Sequence, residues 1–272
     1  MLNNKIIKFI IRLIYYIGGM FLIAFGVRLA IRGGLGISPL SSISFSTFNV
    51  IKANGINFSL FGQNISAHGA ESFSLQQLDS GISVGITLGM CATFIFFMFM
   101  LFQIILLRKE YKPINLLQIF VSTLFGYFVD LAGRVVAVIP GPASPNIPYY
   151  FSVIWFAASL MFIALGMSCY IATKLMPMPG DGLIHAIISK TGKPFHVIKT
   201  VTDCTWVISA ILIIWIGTGT IYGIREGTIV SAVMVGVVMG WIRPVLNPVL
   251  RKCGLDVEIP VKKRISRKTH KG

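Results

Sequence analysis

Long apolar runs, separated by polar or Gly/Pro-rich segments, dominate the chain. Six of these runs are close to or above the roughly 20 residues that an α-helix needs to cross a bilayer. They are 13–31, 81–107, 114–139, 149–173, 198–217 and 229–250, and the second and fourth carry no charged residue. The pattern therefore predicts an all-α, polytopic membrane helix bundle with six spans.

Two Gly/Pro-rich breaks interrupt this pattern, one after the first run and one after the fourth. The first, "RGGLGISPLSS", covers 32–42, and the second, "PMPGDG", covers 177–182. Proline lacks a backbone N–H and glycine disfavours a helix interior, so each break ends a helix. The apolar segments that follow are too short to cross a bilayer. The sequence leaves two placements open for them: re-entrant half-helices, or capped helices at the membrane surface.

The two breaks belong to an internal repeat. With a shift of 140 residues, 23–39 matches 163–179 at six of 17 positions. The identical pairs are Ile23/Ile163, Ala24/Ala164, Gly26/Gly166, Ile31/Ile171, Leu35/Leu175 and Pro39/Pro179. The last runs of the two halves align on Gly126 and Gly240, with Val121 opposite Val235.

Each half holds three spans, and three is odd, so the second half enters the membrane from the opposite side. The sequence thus predicts two inverted three-span repeats, 1–139 and 140–250, each with a break and a short half-helix after its first span. A basic cytoplasmic tail, 251–272, follows. Inverted repeats are common in secondary transporters. A duplicated unit can also serve only to build a stable bundle.

Composition agrees with a membrane protein and indicates its orientation. Hydrophobic residues make up 55% of the chain and charged residues 12%, about half of what a soluble domain carries. Lys and Arg outnumber Asp and Glu by 24 to 9. Placing the N-terminus inside gathers most of these cations in the inner segments, as the positive-inside rule requires. We therefore expect both termini in the cytoplasm, and no nucleic-acid partner for the basic excess.

Candidate substrate-binding residues lie at the breaks. Asp181 suits the N-cap of the short helix after the second break, and Ser41 and Ser42 suit the same position after the first. If these helices re-enter the membrane, their N-termini direct positive partial charge inward, which favours a small anionic or zwitterionic substrate. Arg28, one turn from the end of the first run, is a candidate for a substrate carboxylate. Alternatively, its side chain extends to the membrane interface.

Candidate ion-coupling residues are carboxylates near the ends of spans, because a charge inside a membrane is costly. Asp203 lies about one turn inside the fifth run, so it either binds a coupling ion or pairs with Lys199, four residues before it. Asp79 holds the matching position before the second run. Asp130 and Arg134 are also four residues apart, so they form either a local ion pair or part of a relay.

The sequence contains no enzyme or cofactor motif. It has no G-x-S-x-G, no H-E-x-x-H, no Walker loop and no Cys/His metal-ligand spacing. The four cysteines show no paired spacing and predict neither a disulfide nor a zinc site. We expect no enzymatic activity, no cofactor and no metal.

Three stretches, "GGLGISPLSS", "PGDGL" with "TDCTW" behind it, and "REGTIVSAVMVGVVMG", resemble the YczE/YitT-type family of bacterial integral membrane proteins. The likeness covers most of 13–250. The short basic tail favours the YczE side, because YitT-like members often carry a soluble C-terminal domain. The resemblance implies a multi-pass protein of a bacterial cytoplasmic membrane and almost no chemistry. The polar segment 52–80 has no counterpart in this pattern.

These observations favour a small-molecule transporter or exporter, surrounded by the lipid bilayer, with its site at the interface of the two repeats. The alternative is a non-transporting membrane scaffold or a regulator of an enzyme system. The substrate, the coupling ion and the oligomeric state stay open.

Overall fold

The computed structural model describes residues 2–54, 58–60, 63–65, 86–108, 113–141, 148–193, 195–220 and 223–252. Eight α-helices make up most of this part of the chain. They are α1 (Leu2–Gly33), α2 (Pro39–Ala53), α3 (Leu88–Leu107), α4 (Gln118–Val138), α5 (Tyr149–Ala172), α6 (Pro179–Thr191), α7 (Phe195–Thr218) and α8 (Glu226–Lys252).

Two smaller elements complete the described chain. A 3-10 turn, Pro113–Leu117, leads into α4. Two short strands, β1 (Phe58–Leu60) and β2 (Gln63–Ile65), pair antiparallel in the polar segment after α2. The strands are a local addition to a bundle that is otherwise helical.

Six of the helices in the described part of the chain are long and apolar enough to cross a membrane: α1, α3, α4, α5, α7 and α8. This confirms the six predicted spans. Their outward faces carry large apolar side chains, such as Phe120, Trp215 and Ile216. Exposed apolar side chains at this density fit a lipid-facing surface better than an aqueous one.

Both breaks predicted from the sequence are present, and they take the same form. Helix α1 ends at Gly33 and α2 begins at Pro39, while α5 ends at Ala172 and α6 begins at Pro179. Proline at the first helical position needs no backbone partner and has its φ already set for a helix. Gly192 caps the C-terminus of α6, and its φ of 65° is the left-handed conformation common at that position.

Helices α1 and α5 form an extensive antiparallel pair with touching backbones. A Cβ added at Gly19 would lie 2.8 Å from the Gly166 carbonyl oxygen, and one at Gly26 would lie 2.9 Å from the Ser159 carbonyl oxygen. Small residues recur every seven positions on both helices: Gly19, Gly26 and Gly33 on α1, and Ser152, Ser159 and Gly166 on α5. A seven-residue repeat matches a left-handed supercoil, and small residues let membrane helices approach closely.

The short helices are packed inside the bundle. Helix α2 lies against α3, α7 and α8, and α6 lies against α3 and α7. Their N-terminal turns meet, because a Cβ added at Gly180 would lie 3.0 Å from Leu40 Cδ1 and 3.5 Å from the Trp206 ring. Trp206 in turn stacks on Phe99 at a ring-centroid distance of 5.3 Å. The two breaks therefore converge on an aromatic core between α3 and α7.

Candidate functional site

The break between α5 and α6 is held by two tyrosines. The Tyr16 hydroxyl donates to the Met176 carbonyl oxygen at 3.1 Å, and the Met178 backbone N–H donates to the Tyr170 hydroxyl at 2.7 Å. Buried backbone groups outside a helix need such partners, especially within a membrane protein. The Tyr170 hydroxyl also donates to Asp181 Oδ2 at 3.1 Å, so the same side chain connects the break to the first turn of α6.

The break between α1 and α2 is held instead by the start of α8. The Ile37 backbone N–H donates to Thr228 Oγ1 at 3.2 Å, and the Gly227 backbone N–H donates to the Leu35 carbonyl oxygen at 3.1 Å. Ser231 Oγ also donates to the Ile37 carbonyl oxygen, at 3.4 Å. Residues at the start of α8 thus satisfy the broken backbone between α1 and α2.

Two carboxylates share one lysine where α6 meets α7. Lys199 Nζ lies 2.5 Å from Asp203 Oδ1, and the Asp203 side chain is only 7% exposed. Asp181 interacts electrostatically with the same ammonium group and with Asp203. Lys199 Nζ also lies 5.4 Å from the centre of the Trp206 ring, within the range of a cation–π contact. We name Asp181, Lys199 and Asp203 the carboxylate–lysine cluster.

Asp181 is the titratable group of this cluster that lies outside the spanning helices. Burial raises the pKa of Asp181 above its ordinary value, because the desolvated carboxylate is disfavoured. The Lys199 ammonium, the hydrogen bond from Tyr170 and the nearby His185 all lower the pKa of Asp181 and offset part of that effect. Asp181 is therefore a carboxyl group whose proton is held more tightly than that of an aqueous aspartate.

A pair of buried glutamines contacts α6 from the other side. Gln103 Nε2 donates to the Pro179 carbonyl oxygen at 2.8 Å and to Gln118 Oε1 at 3.2 Å, and both glutamines are only 1% exposed. They pack directly on Gly182, where an added Cβ would lie 2.7 Å from Gln103 Oε1. Glutamines in apolar helices are a weak sequence signal, and neither Gln103 nor Gln118 was predicted as a site residue. Only the fold brings α3, α4 and α6 together here.

The predicted helix-cap roles of three residues were wrong. The N-cap positions are Ser38 and Met178, and Asp181 lies in the first turn of α6. Ser42 is fully buried and donates to the Pro39 carbonyl oxygen at 2.6 Å, while Ser41 Oγ accepts from Ser38 Oγ at 3.0 Å. The prolines start each helix three or four residues earlier than predicted, because their own missing N–H needs no cap.

Arg28 makes a contact that the sequence did not predict. Its guanidinium lies 3.0 Å from Asp130 Oδ1, and its Nε donates to the Val129 carbonyl oxygen at 2.8 Å. Asp130 also accepts hydrogen bonds from the Thr87 hydroxyl at 2.6 Å and from the Gly89 backbone N–H at 2.9 Å. The partner of Asp130 is thus Arg28 on another helix, and the predicted local pair with the exposed Arg134 was wrong.

The predicted residues that the structure describes lie in three places. Asp181 and Asp203 come together in the carboxylate–lysine cluster, whereas Arg28 belongs to a separate network that joins α1, α3 and α4. Ser41 and Ser42 lie at the start of α2, close to the Leu40–Gly180 contact. Asp79 lies outside the described residues. Within the described chain, no group of three or more His, Cys, Asp or Glu side chains is arranged to hold a metal ion.

Comparison with known proteins gives a family but no activity. Residues 50–244 match the family model described as "Family of unknown function (DUF6198)". The chain belongs to this family. It is also 25% identical over 238 residues, 87% of each chain, to the "Uncharacterized membrane protein YczE" of Bacillus subtilis (strain 168). The YczE-like resemblance is therefore confirmed, and no solved structure matches the chain.

Proposed function

We propose that this membrane protein is a secondary transporter of a small polar molecule, built from two inverted three-span repeats. The observation that carries the proposal is the meeting of the two short helices. Leu40 and Gly180 hold the same position in the two halves, 140 residues apart, and they touch. Equivalent residues touch where a two-fold axis passes between the halves.

The contacts between α1 and α5 support the same axis. Gly19 contacts Gly166, which is the counterpart of Gly26, and Gly26 contacts Ser159, which is the counterpart of Gly19. Such an exchange of partners is what two-fold symmetry requires. Because the two helices run antiparallel, the axis is perpendicular to them and would lie in the membrane plane. That is the symmetry of an inverted repeat.

The chemistry near the axis suits a substrate or ion with a positive group. Asp181 and Asp203 carry two negative charges against the single Lys199, and an unbalanced charge inside a membrane protein calls for a proton, a cation or a cationic ligand group. The proposed coupling residues are therefore Asp203 and Asp181. The start of α2, with positive partial charge and the Ser41 hydroxyl, suits an anionic group. A small zwitterion matches both helix ends.

The proposed orientation places both termini in the cytoplasm and the protein in a bacterial cytoplasmic membrane. The carboxylate–lysine cluster then lies toward the cytoplasmic end of the bundle, and the Arg28–Asp130 pair lies toward the outer end. The proposal involves no enzymatic step.

One observation favours the alternative, a non-transporting scaffold or regulator. Leu40 and Trp206 fill the meeting point of the two short helices around Gly180, and Phe99 stacks on Trp206. A packed centre is what a rigid scaffold requires. A transporter needs this core to open in another conformation.

Metabolite profiling tests the proposal. A deletion strain and an overproducer are compared for small polar metabolites inside and outside the cell, with Asp181→Asn at matched abundance as the inactive control. We expect a zwitterionic metabolite to shift in opposite directions in the two strains, and the control to behave like the deletion. Unchanged metabolite distributions, together with a protein that co-purifies at fixed ratio, would support the scaffold instead.

A further inference from the structure

One helix pair differs between the two halves. In the first half, α3 packs on α4 through small residues. A Cβ at Gly126 would lie 2.5 Å from the Gly89 carbonyl oxygen and would also contact the Thr93 hydroxyl. Thr93 Oγ1 in turn lies 3.3 Å from the Ser122 carbonyl oxygen. Ser122 and Gly126, four residues apart, thus form the face of α4 that receives α3.

The counterpart face on α8 is empty. The alignment of Gly126 with Gly240 places Gly236 opposite Ser122. A Cβ added at Gly236 or at Gly240 would meet nothing within 4 Å. Both glycines are exposed, and Trp241 beside them is 70% exposed. We name Gly236 and Gly240 the glycine face of α8.

The helix that corresponds to α3 in the second half is α7, and it does not occupy this face. Helix α8 packs chiefly on α5, as α4 packs on α1, and it contacts α7 only slightly. Helix α8 does not bury the outward side chains of α7, and Val201, for example, is 58% exposed. The equivalent helix pairs therefore differ: α3 and α4 are packed together in the first half, whereas α7 and α8 are apart in the second.

We propose that α7 closes onto the glycine face of α8 in a second conformation of the protein, while α3 separates from α4. This inference rests on the proposed transport function, since exchanging the conformations of two inverted halves moves the open side of the site across the membrane. Small residues suit this conformational change, because they let two helix backbones pack closely in one conformation and present no bulky side chain in the other. Packed helix pairs also tend to switch between discrete arrangements.

Closing α7 would move the carboxylate–lysine cluster, because Lys199 and Asp203 lie on α7 while Asp181 lies on α6. Opening α3 would break the hydrogen bonds from Thr87 and the Gly89 N–H to Asp130. The carboxylate–lysine cluster would therefore change when α7 moves relative to α8, and the hydrogen bonds of Asp130 would change when α3 moves relative to α4. This couples the charge state of the cluster to the side on which the bundle opens.

Disulfide cross-linking in membranes tests the closure without any substrate. All four cysteines are replaced first, and a protease site is inserted in the connection between the two helices under test. Helices α3 and α7 begin at 88 and 195, so Val201 lies about as deep in α7 as Thr93 lies in α3. The test pair is Val201→Cys with Gly240→Cys, and the reference pair is Thr93→Cys with Ser122→Cys.

We expect both pairs to cross-link within one chain, and prior locking of the reference pair to suppress the Val201–Gly240 link. No link within the chain at positions 201 and 240, while the reference pair links, would overturn the proposal. Links that join two chains would overturn it as well, because a second copy would then cover the glycine face. If the Val201–Gly240 link forms but the protein moves no metabolite, the proposed closure of α7 onto α8 is supported and the proposed transport function is contradicted.

A pair of leucine variants gives a second test that does not depend on cysteine geometry. Gly240→Leu fits the present structure, because the space around Gly240 is open, but it would keep α7 from closing. Gly18→Leu, also in open space, is the matched control on α1. With Val201→Cys and Gly236→Cys as reporters, we expect Gly240→Leu to abolish the link and Gly18→Leu to preserve it. Equal linking in both variants would overturn the proposal.

Discussion

The side chain of Leu40 lies against the backbone of Gly180, and the two residues hold equivalent positions in the two halves of the chain. One member of the pair is large and the other has no side chain. In the proposed inverted repeat a two-fold axis would pass between them and leave room for one leucine but not for two. On that proposal, the contact accounts for the different residues at this position in two segments that share the same break.

Exchanging these residues tests the symmetry. Gly180→Leu places a second large side chain between Leu40 and Trp206, and we expect it to lower abundance and thermal stability strongly. The swapped double variant, Leu40→Gly with Gly180→Leu, restores one leucine at the axis and should recover most of the loss. The double variant should then be less stable than the native protein by about 1 kcal/mol, the cost of glycine in a helix. A double variant as damaged as Gly180→Leu would argue against a two-fold relation at this point.

Adjacent glycines on α1 should respond in opposite ways. Gly19→Ala drives a methyl group into the backbone of α5, 2.8 Å from the Gly166 carbonyl oxygen, whereas Gly18 has open space around it. We expect Gly19→Ala to destabilise the bundle by about 2 kcal/mol, as overpacked sites do. Gly18→Ala should be neutral or slightly stabilising, because alanine favours a helix. Thermal melting in detergent measures both, and equal melting temperatures would contradict the backbone contact.

Charge balance in the carboxylate–lysine cluster predicts which variants lose more folding stability. Lys199→Met leaves two unbalanced carboxylates, and we expect a loss of about 2 kcal/mol, below the usual cost of breaking a buried pair because Lys199 is one-third exposed. Asp203→Asn leaves one aspartate facing one lysine, so the protein should fold and insert normally. If Asp203 is a coupling site, ion-dependent transport is nevertheless lost.

The double variant Lys199→Met with Asp203→Asn is the control for the expected difference in stability between the two single variants. It carries one negative charge, like the native cluster, and should be more stable than Lys199→Met alone. Full transport in well-folded Asp203→Asn would remove this carboxylate from the mechanism. Greater instability of Asp203→Asn than of Lys199→Met would show that the pair is structural.

The pH dependence of Asp181→Asn follows from the raised pKa of Asp181. A carboxyl whose pKa is raised on folding destabilises the folded state when it ionises, so its cost is fully present above the raised pKa, shrinks as the pH falls from that pKa to the ordinary value of 3.8, and is absent below 3.8. We expect Asp181→Asn to melt at or above the native temperature near neutral pH. The difference should disappear as the pH falls through that pKa toward 3.8, the ordinary value.

Glu226→Gln, at a carboxylate whose side chain is 53% exposed, is the control for removing one negative charge elsewhere in the protein. A melting temperature of Asp181→Asn below the native value at every pH would mean that Lys199, Tyr170 and His185 together favour the charged form of Asp181. The measurement is thermal melting in detergent across a series of buffers.

Cysteine labelling tests the proposed orientation. A cysteine at Lys190, on α6, should react with a membrane-impermeant thiol reagent only after permeabilisation, and one at Thr220, beyond the end of α7, should react in intact cells. A cysteine at Thr269, in the tail outside the described residues, should behave like the one at Lys190. Labelling of positions 190 and 220 from the same side would rule out a spanning α7.

The six spans and the two breaks were readable from the sequence because each depends on local composition. Apolar length alone predicts a spanning helix, and Pro39 and Pro179 start new helices wherever the chain is placed. The ion pair of Lys199 with Asp203 was also among the alternatives, since residues four apart on one helix are neighbours in any fold. The carboxylate at Asp181 was recognised, although its place in the first turn was not.

Partners from distant parts of the chain could be found only in the tertiary structure. The pairing of Arg28 with Asp130 replaced the predicted local pair because α1 and α4 pack together, and local spacing contains no information about that packing. Gln103 and Gln118 became part of the site because three helices meet around Gly182. The contact between Leu40 and Gly180 likewise follows from the way the halves assemble. Sequence therefore determined which segments are helices and where they stop, since backbone and side-chain chemistry act locally, whereas helix packing decided which polar groups face one another.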